Sequence, residues 1–134
     1  MFCYCAEARR VSRLLTAKYD AALASAELTS AQFETLSVLH AMQHCSGRVL
    51  AQKLAVDKTT LSRNLRGMIE AGLVVSKGSA EDTRQMDYSL TAAGRKKLVK
   101  AQPLWQALHE ETNRQLGWHA ASAQKVLRRM AAAL

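Results

Sequence analysis

The sequence predicts a mainly α-helical fold carrying one small two-stranded β unit, and three observations lead there. The stretch Ser46–Ala71 reads as two helices joined at a tight turn. Behind it, Leu73–Lys77 and Gln85–Leu90 read as short strands on either side of a polar, turn-rich loop. Amphipathic segments of helical period occupy both ends of the chain.

From Cys3 to about Ala26 a helix carries Val11, Leu14, Leu15, Tyr19 and Leu23 along one stripe. Thr29-Ser30-Ala31-Gln32 is a capping box opening a second helix, whose Phe33, Leu36, Leu39 and Met42 face inward. His44-Cys45-Ser46-Gly47 closes it. In the next helix Val49, Leu50 and Leu54 are apolar, while Ala51 and Ala55 are small enough to let another helix approach. Val56 and Asp57 form the turn, with Asp57 as N-cap of the helix that follows. Leu61, Leu65, Met68 and Ile69 mark the buried stripe of that helix. At about 100° per residue the opposite face holds Thr59, Arg63 and Arg66, flanked by Thr60 and Ser62, with no acid before Glu70. Gly67 costs this helix about 1 kcal/mol relative to Ala, and close packing is the reason the sequence suggests for it.

Gly72 is the C′ residue that stops the helix. In the second strand Met86, Tyr88 and Leu90 alternate against Gln85, Asp87 and Ser89. Thr91 caps a helix from about Ala92 to Leu116, with Leu98, Ala101, Trp105, Leu108, Thr112 and Leu116 on one side and a kink expected at Pro103. Gly117-Trp118-His119 is a joint, and a last helix carries Ala123, Val126, Leu127, Met130 and Leu134.

A chain of 134 residues with an apolar share of 49% is sized for one domain with a proper core. Its formal charge of +8 is concentrated: residues 46–100 hold eleven basic against five acidic side chains, whereas residues 1–45 hold four of each. Positive charge thus accompanies the two-helix segment, as the footprint of a nucleic-acid binder should. Three Cys make no disulfide framework, and neither a signal peptide nor an apolar run of about 20 residues is found. A reducing cytoplasm and no membrane contact are the expectations. The sequence lacks a phosphate-cradling glycine loop, an HExxH pair, a nucleophile elbow and a spaced carboxylate pair, and His40, His44, His109 and His119 form no constellation. An enzyme is not expected, nor a cofactor or a metal.

Hydroxyls and guanidinium forks on one exposed helical face suit phosphate oxygens and the acceptor-rich edge of guanine in a major groove. The expected fold is therefore a winged helix-turn-helix whose second helix reads DNA. Thr59, Thr60, Ser62, Arg63 and Arg66 would enter the groove, with Lys58 on the backbone. The first and last helices carry stripes that so small a core cannot cover, and left bare they would aggregate. A twofold dimer resolves this. The expected organisation is one domain over 1–134, with dimerisation helices at 1–28 and 92–134 and a DNA-binding core at 29–91.

With Leu54-Ala55-Val56-Asp57-Lys58-Thr59-Thr60-Leu61, Glu70-Ala71-Gly72-Leu73-Val74, and Asp82-Thr83-Arg84 followed by Leu90-Thr91-Ala92-Ala93-Gly94, the chain resembles the MarR family of winged-helix transcription regulators over essentially its whole length. The Asp-x-Arg wing leading into Leu-Thr-x-x-Gly is the most specific part. The resemblance implies that Arg84 enters the minor groove while Asp82 holds the wing in shape, and a narrow minor groove does attract an inserted Arg. It also implies a homodimer on a pseudopalindromic operator, repressing until a small molecule or an oxidant releases it.

Two switches are open. Cys3 and Cys5, at the start of the first helix, would react with oxidants if their pKa were depressed. The peroxide-sensing branch of the family is similar in placing a cysteine there. The same pair could share a soft metal, or simply pack; Cys45 reads as structural. The second route, suggested by the resemblance, is a small aromatic or anionic effector between the dimer region and the winged core, lined by Tyr19, Trp105 and His109. Two competing readings are a non-specific architectural DNA-binding protein and a thiol- or metal-responsive winged-helix sensor.

Overall fold

The computed structural model describes residues 1–78 and 86–134; Gln85 and the expected wing loop from Ser79 to Arg84 lie outside them. Helix α1 (Tyr4–Leu23) runs into a 3₁₀ turn at Ala24–Ala26, and α2 (Ser30–Met42) follows. Strand β1 (His44–Ser46) leads into α3 (Gly47–Leu54) and α4 (Lys58–Glu70). Strands β2 (Val74–Lys77) and β3 (Asp87–Leu90) precede α5 (Ala92–Leu116), a 3₁₀ turn at Gly117–His119 and α6 (Ala120–Ala133). The fold is mainly helical, as expected. None of the described helices is long and apolar enough to cross a membrane.

The caps form where the sequence places them. Thr29 and Gln32 exchange side-chain-to-backbone hydrogen bonds at 3.0 and 3.1 Å, completing the capping box of α2. Gly72, at φ +75°, ends α4 with Leu73 N–H donating to the Met68 carbonyl and Gly72 N–H to that of Ile69. This is a Schellman closure, and it needs a left-handed residue.

The sheet has three antiparallel strands in the order β1-β3-β2, where the sequence suggested two. His44 pairs with Ser89, Cys45 with Tyr88 and Ser46 with Asp87, so the segment taken as the close of α2 is an edge strand. Because β3 is the central strand, Met86 to Ser89 are all half-buried and only Leu90 is buried, which blurs the expected alternation.

One core joins these elements. Leu23 and Leu28, Leu36 and Leu39 of α2, Leu50 of α3, Leu61, Leu65 and Met68 of α4, Val74, Leu90, Leu98 and Ala101 are all buried in it. Met42 and Ile69, expected inside, are exposed: both lie at the edge of stripes whose centres face the core. Ala55 is not on the packed face of α3 but in the turn beyond it. Pro103 does not interrupt α5, which is one α-helix from Ala92 to Leu116. Pro103 sits on an exposed turn, and so does Val99, the residue whose carbonyl loses its donor. A Cβ at Gly67 would meet nothing within 4 Å, so close packing does not explain that glycine.

Candidate nucleic-acid interface

The turn between α3 and α4 is built by backbone chemistry at both ends. Ser46 caps α3 by accepting the Val49 N–H at 3.2 Å. Ala55 then takes the left-handed conformation at φ 53°. Val56 N–H donates to the Ala51 carbonyl and Ala55 N–H to that of Gln52, a second Schellman closure made without glycine. Asp57 opens α4 by accepting the Thr60 N–H at 2.7 Å. That bond, with a further one from the Thr60 side chain and the nearby Arg63 charge, holds the Asp57 carboxyl below the usual aspartate range.

Held this way, α4 buries Leu61, Leu65 and Met68 and turns Lys58, Thr59, Thr60, Ser62, Arg63 and Arg66 to solvent. Among the described residues no ion pair takes up Arg63 or Arg66. The result is a convex face of hydroxyls and guanidinium groups on a helix of 13 residues, a shape that fits a major groove.

Behind α4 lies the base of the wing. The Thr91 hydroxyl donates to the Gly72 carbonyl and accepts the Gly94 N–H at 3.0 Å, while Thr91 N–H donates to the Leu73 carbonyl at 3.1 Å. A Cβ at Gly94 would stand 2.1 Å from that same Leu73 oxygen, so α5 approaches the end of α4 at a distance only glycine allows. His44 Nδ1 meets the Asp87 carboxylate at 2.9 Å and ties β1 to β3 across the sheet. Cys45 is buried among these strands, and burial, reinforced by the Asp87 charge, pushes its thiol up, the opposite of a reactive cysteine. Asp82 and Arg84 belong to the loop outside the described residues.

A family model described as MarR family matches residues 26–85, the segment that contains the helix-turn-helix and most of the wing. The DNA-bound transcriptional regulator MosR of M. tuberculosis is 36% identical, over 98% of this chain and 96% of that one, with a TM-score of 0.87. The chain belongs to the MarR family. It is thereby a DNA-binding transcription regulator and not an enzyme. Two further MarR-like structures have the same fold. S. aureus MepR, in a DNA complex, is 25% identical with full coverage of both chains and a TM-score of 0.82. NadR, in complex with 4-hydroxyphenylacetate, is 20% identical over 98% of this chain and 94% of that one, with a TM-score of 0.78. No curated protein matches the chain by sequence.

Away from the exposed face of α4, this MarR-family chain has a cleft of about 980 Å³ between α1, α2 and α5, lined among others by Tyr19, Phe33, Glu34, Ser37, Gln102 and Trp105. Tyr19 and Trp105 are therefore together at a cavity, as expected. His109 is not in the lining: it stacks on Trp105 at 4.7 Å, and Trp105 in turn stacks on Phe33 at 6.0 Å. Burial raises the pKa of both Tyr19 and Glu34. Cys3 and Cys5 are exposed, Cys3 as the N-cap of α1 without a side-chain capping bond. Among the described residues no group of three His, Cys, Asp or Glu side chains stands close enough to hold a metal ion.

Sequence reasoning missed the Ser46 cap and a link between Asn64 and Thr35. The first had a legible signal, a Ser three residues before the helical N–H it accepts. The second had none.

Proposed function

We propose that the chain is a homodimeric repressor that binds a pseudopalindromic operator with one α4 in each of two successive major grooves and is released by a small effector. The exposed face of α4 carries this reading. In this reading Arg63 contacts guanine as a bidentate donor, Thr59, Thr60, Ser62 and Arg66 contact neighbouring bases and phosphates, and Lys58 contacts the backbone. Arg84, outside the described residues, is the proposed minor-groove contact, with Asp82 near it in sequence as its proposed support. The DNA complexes of MosR and MepR support this assignment by likeness of fold.

Dimerisation through 1–28 and 92–134, around a core at 29–91, is supported by apolar side chains without cover. Val11, Leu14, Val126 and Leu127 are 47%, 59%, 54% and 63% exposed, and uncovered apolar side chains on terminal helices are of the kind that an association surface buries. The cleft at Tyr19 and Trp105 is the proposed effector site. Among the described residues its lining holds Glu34 and no Lys, Arg or His, which favours an aromatic ligand over an anionic one. The exposure of Cys3 and Cys5 supports a second release route by oxidation of these thiols.

The test is Arg63→Ala against a duplex selected by the wild type. The variant should lose about 1–3 kcal/mol and tolerate other bases at one or two positions. Binding of the variant with the wild-type sequence preference would refute the major-groove assignment. For release, an aromatic ligand should dissociate the complex of a Cys3→Ser, Cys5→Ser chain as well as that of the wild type, whereas peroxide should dissociate only the wild type.

A further inference from the structure

Thr35 is the one polar side chain buried in the core of the described residues, with no surface left to solvent. Its hydroxyl donates to the Ala31 carbonyl at 2.9 Å and accepts from Asn64 Nδ2 at 3.0 Å. Asn64 is half-buried on α4, roughly a quarter-turn from Arg63 on the helical wheel. The bond therefore ties the flank of the reading helix to α2, across 29 residues of sequence.

On that flank apolar packing alone leaves room. Beside the link lies a recess of about 280 Å³ lined by Ala31, Glu34, Leu54, Thr60, Leu61 and Arg63, among others. Contacts of Leu61, Leu65 and Met68 with the core are non-directional, and they resist a small roll of α4 about its axis only weakly. A roll of about 10° moves a group at about 6 Å from the axis by about 1 Å, enough to spoil base contacts that must be held to about 0.5 Å. A hydrogen bond, here a part-buried one, has a direction and removes that freedom.

We propose that Asn64 is a positioning residue for operator recognition: held by the Thr35 hydroxyl, it sets the roll of α4 and thus the register of Arg63 and Arg66 against the bases. The proposal rests on the reading of α4 as the major-groove element. It predicts a loss of discrimination rather than of general DNA affinity. Phosphate contacts tolerate an ångström; bidentate base contacts do not.

The experiment measures binding of the full chain to the duplex selected by the wild type and to a scrambled duplex, over a range of salt, alongside a melting curve. Thr35→Val removes the hydroxyl at nearly constant shape, Thr35→Ser keeps it, and Asn64→Ala removes the other partner from a half-exposed site. Thr35→Val and Asn64→Ala should each lower the specific-to-scrambled ratio about tenfold, with the scrambled affinity and its salt slope unchanged. Thr35→Ser should retain the ratio, and the double variant should lose no more than either single one. A wild-type ratio in folded Asn64→Ala would overturn the proposal. So would an equal loss on both duplexes that follows the unfolded fraction, the mark of a purely structural residue. A wild type that itself prefers no sequence would overturn the functional reading, and this inference with it.

Discussion

Gly94 is where one added methyl group should cost most. Its Cβ would stand 2.1 Å from the Leu73 carbonyl oxygen and 3.0 Å from the carbonyl carbon, where ordinary carbon–oxygen contacts are about 3.3–3.6 Å. The oxygen is not free to retreat, because it accepts the Thr91 N–H at 3.1 Å. Nor can α5 slide away without stretching the bonds of the Thr91 hydroxyl to Gly72 and Gly94. Overpacking of this kind costs about 1–3 kcal/mol, and each hydrogen bond forced apart adds about 1 kcal/mol. Gly94→Ala should therefore destabilise the fold by about 2–4 kcal/mol, lowering the melting temperature by roughly 6–20 °C for a chain of this size. Circular dichroism melts at matched protein concentration measure it, since the stability of the proposed dimer would depend on concentration. A variant melting within about 2 °C of wild type would refute the argument that α5 is docked on Leu73 by a contact only glycine permits.

Gly67→Ala should act in the opposite direction: with nothing within 4 Å of the new Cβ, α4 gains about 1 kcal/mol, read as a raised urea midpoint. Ala55→Gly should also stabilise, because the left-handed turn at φ 53° costs a residue with a Cβ about 1–2 kcal/mol and glycine's looser unfolded state returns only part of it. A net gain of about 0.5–1 kcal/mol in urea unfolding is expected. Asp57 binds its proton less tightly folded than unfolded, so its capping stabilisation is complete above the usual aspartate range and fades as pH falls through and below it. The difference in melting temperature between wild type and Asp57→Ala, present at neutral pH, should shrink toward zero in acid; a difference constant with pH would contradict the cap.

What was legible in the sequence was what short-range chemistry decides. Thr29, Asp57 and Thr91 announce helix starts because a hydroxyl or carboxylate three residues before an orphan N–H has one use. Gly72 announces a stop because the closure there needs positive φ. The exposed face of α4 followed from periodicity alone. What could not be read depends on partners far along the chain. Three residues at His44–Ser46 are too few to show alternation, and they become a strand only through Ser89, Tyr88 and Asp87. Ala55 carries no turn signal; the carbonyls of Ala51 and Gln52 impose its conformation. Ile69 satisfies the helical period yet lies outside the core, since the centre of the stripe is Leu61–Leu65–Met68. The place of His109 behind Trp105, and of Asn64 against Thr35, follows from helix packing that no local pattern encodes.

The central claim, that two copies of α4 read a twofold-symmetric site, is tested most directly by selecting bound duplexes from a randomised pool at ~150 mM salt, where counterion release has already weakened non-specific binding. The account predicts an inverted repeat with half-site centres about one helical turn apart. A pool with no enriched motif, whether or not the thiols are kept reduced, would contradict it and leave an architectural DNA-binding protein in its place.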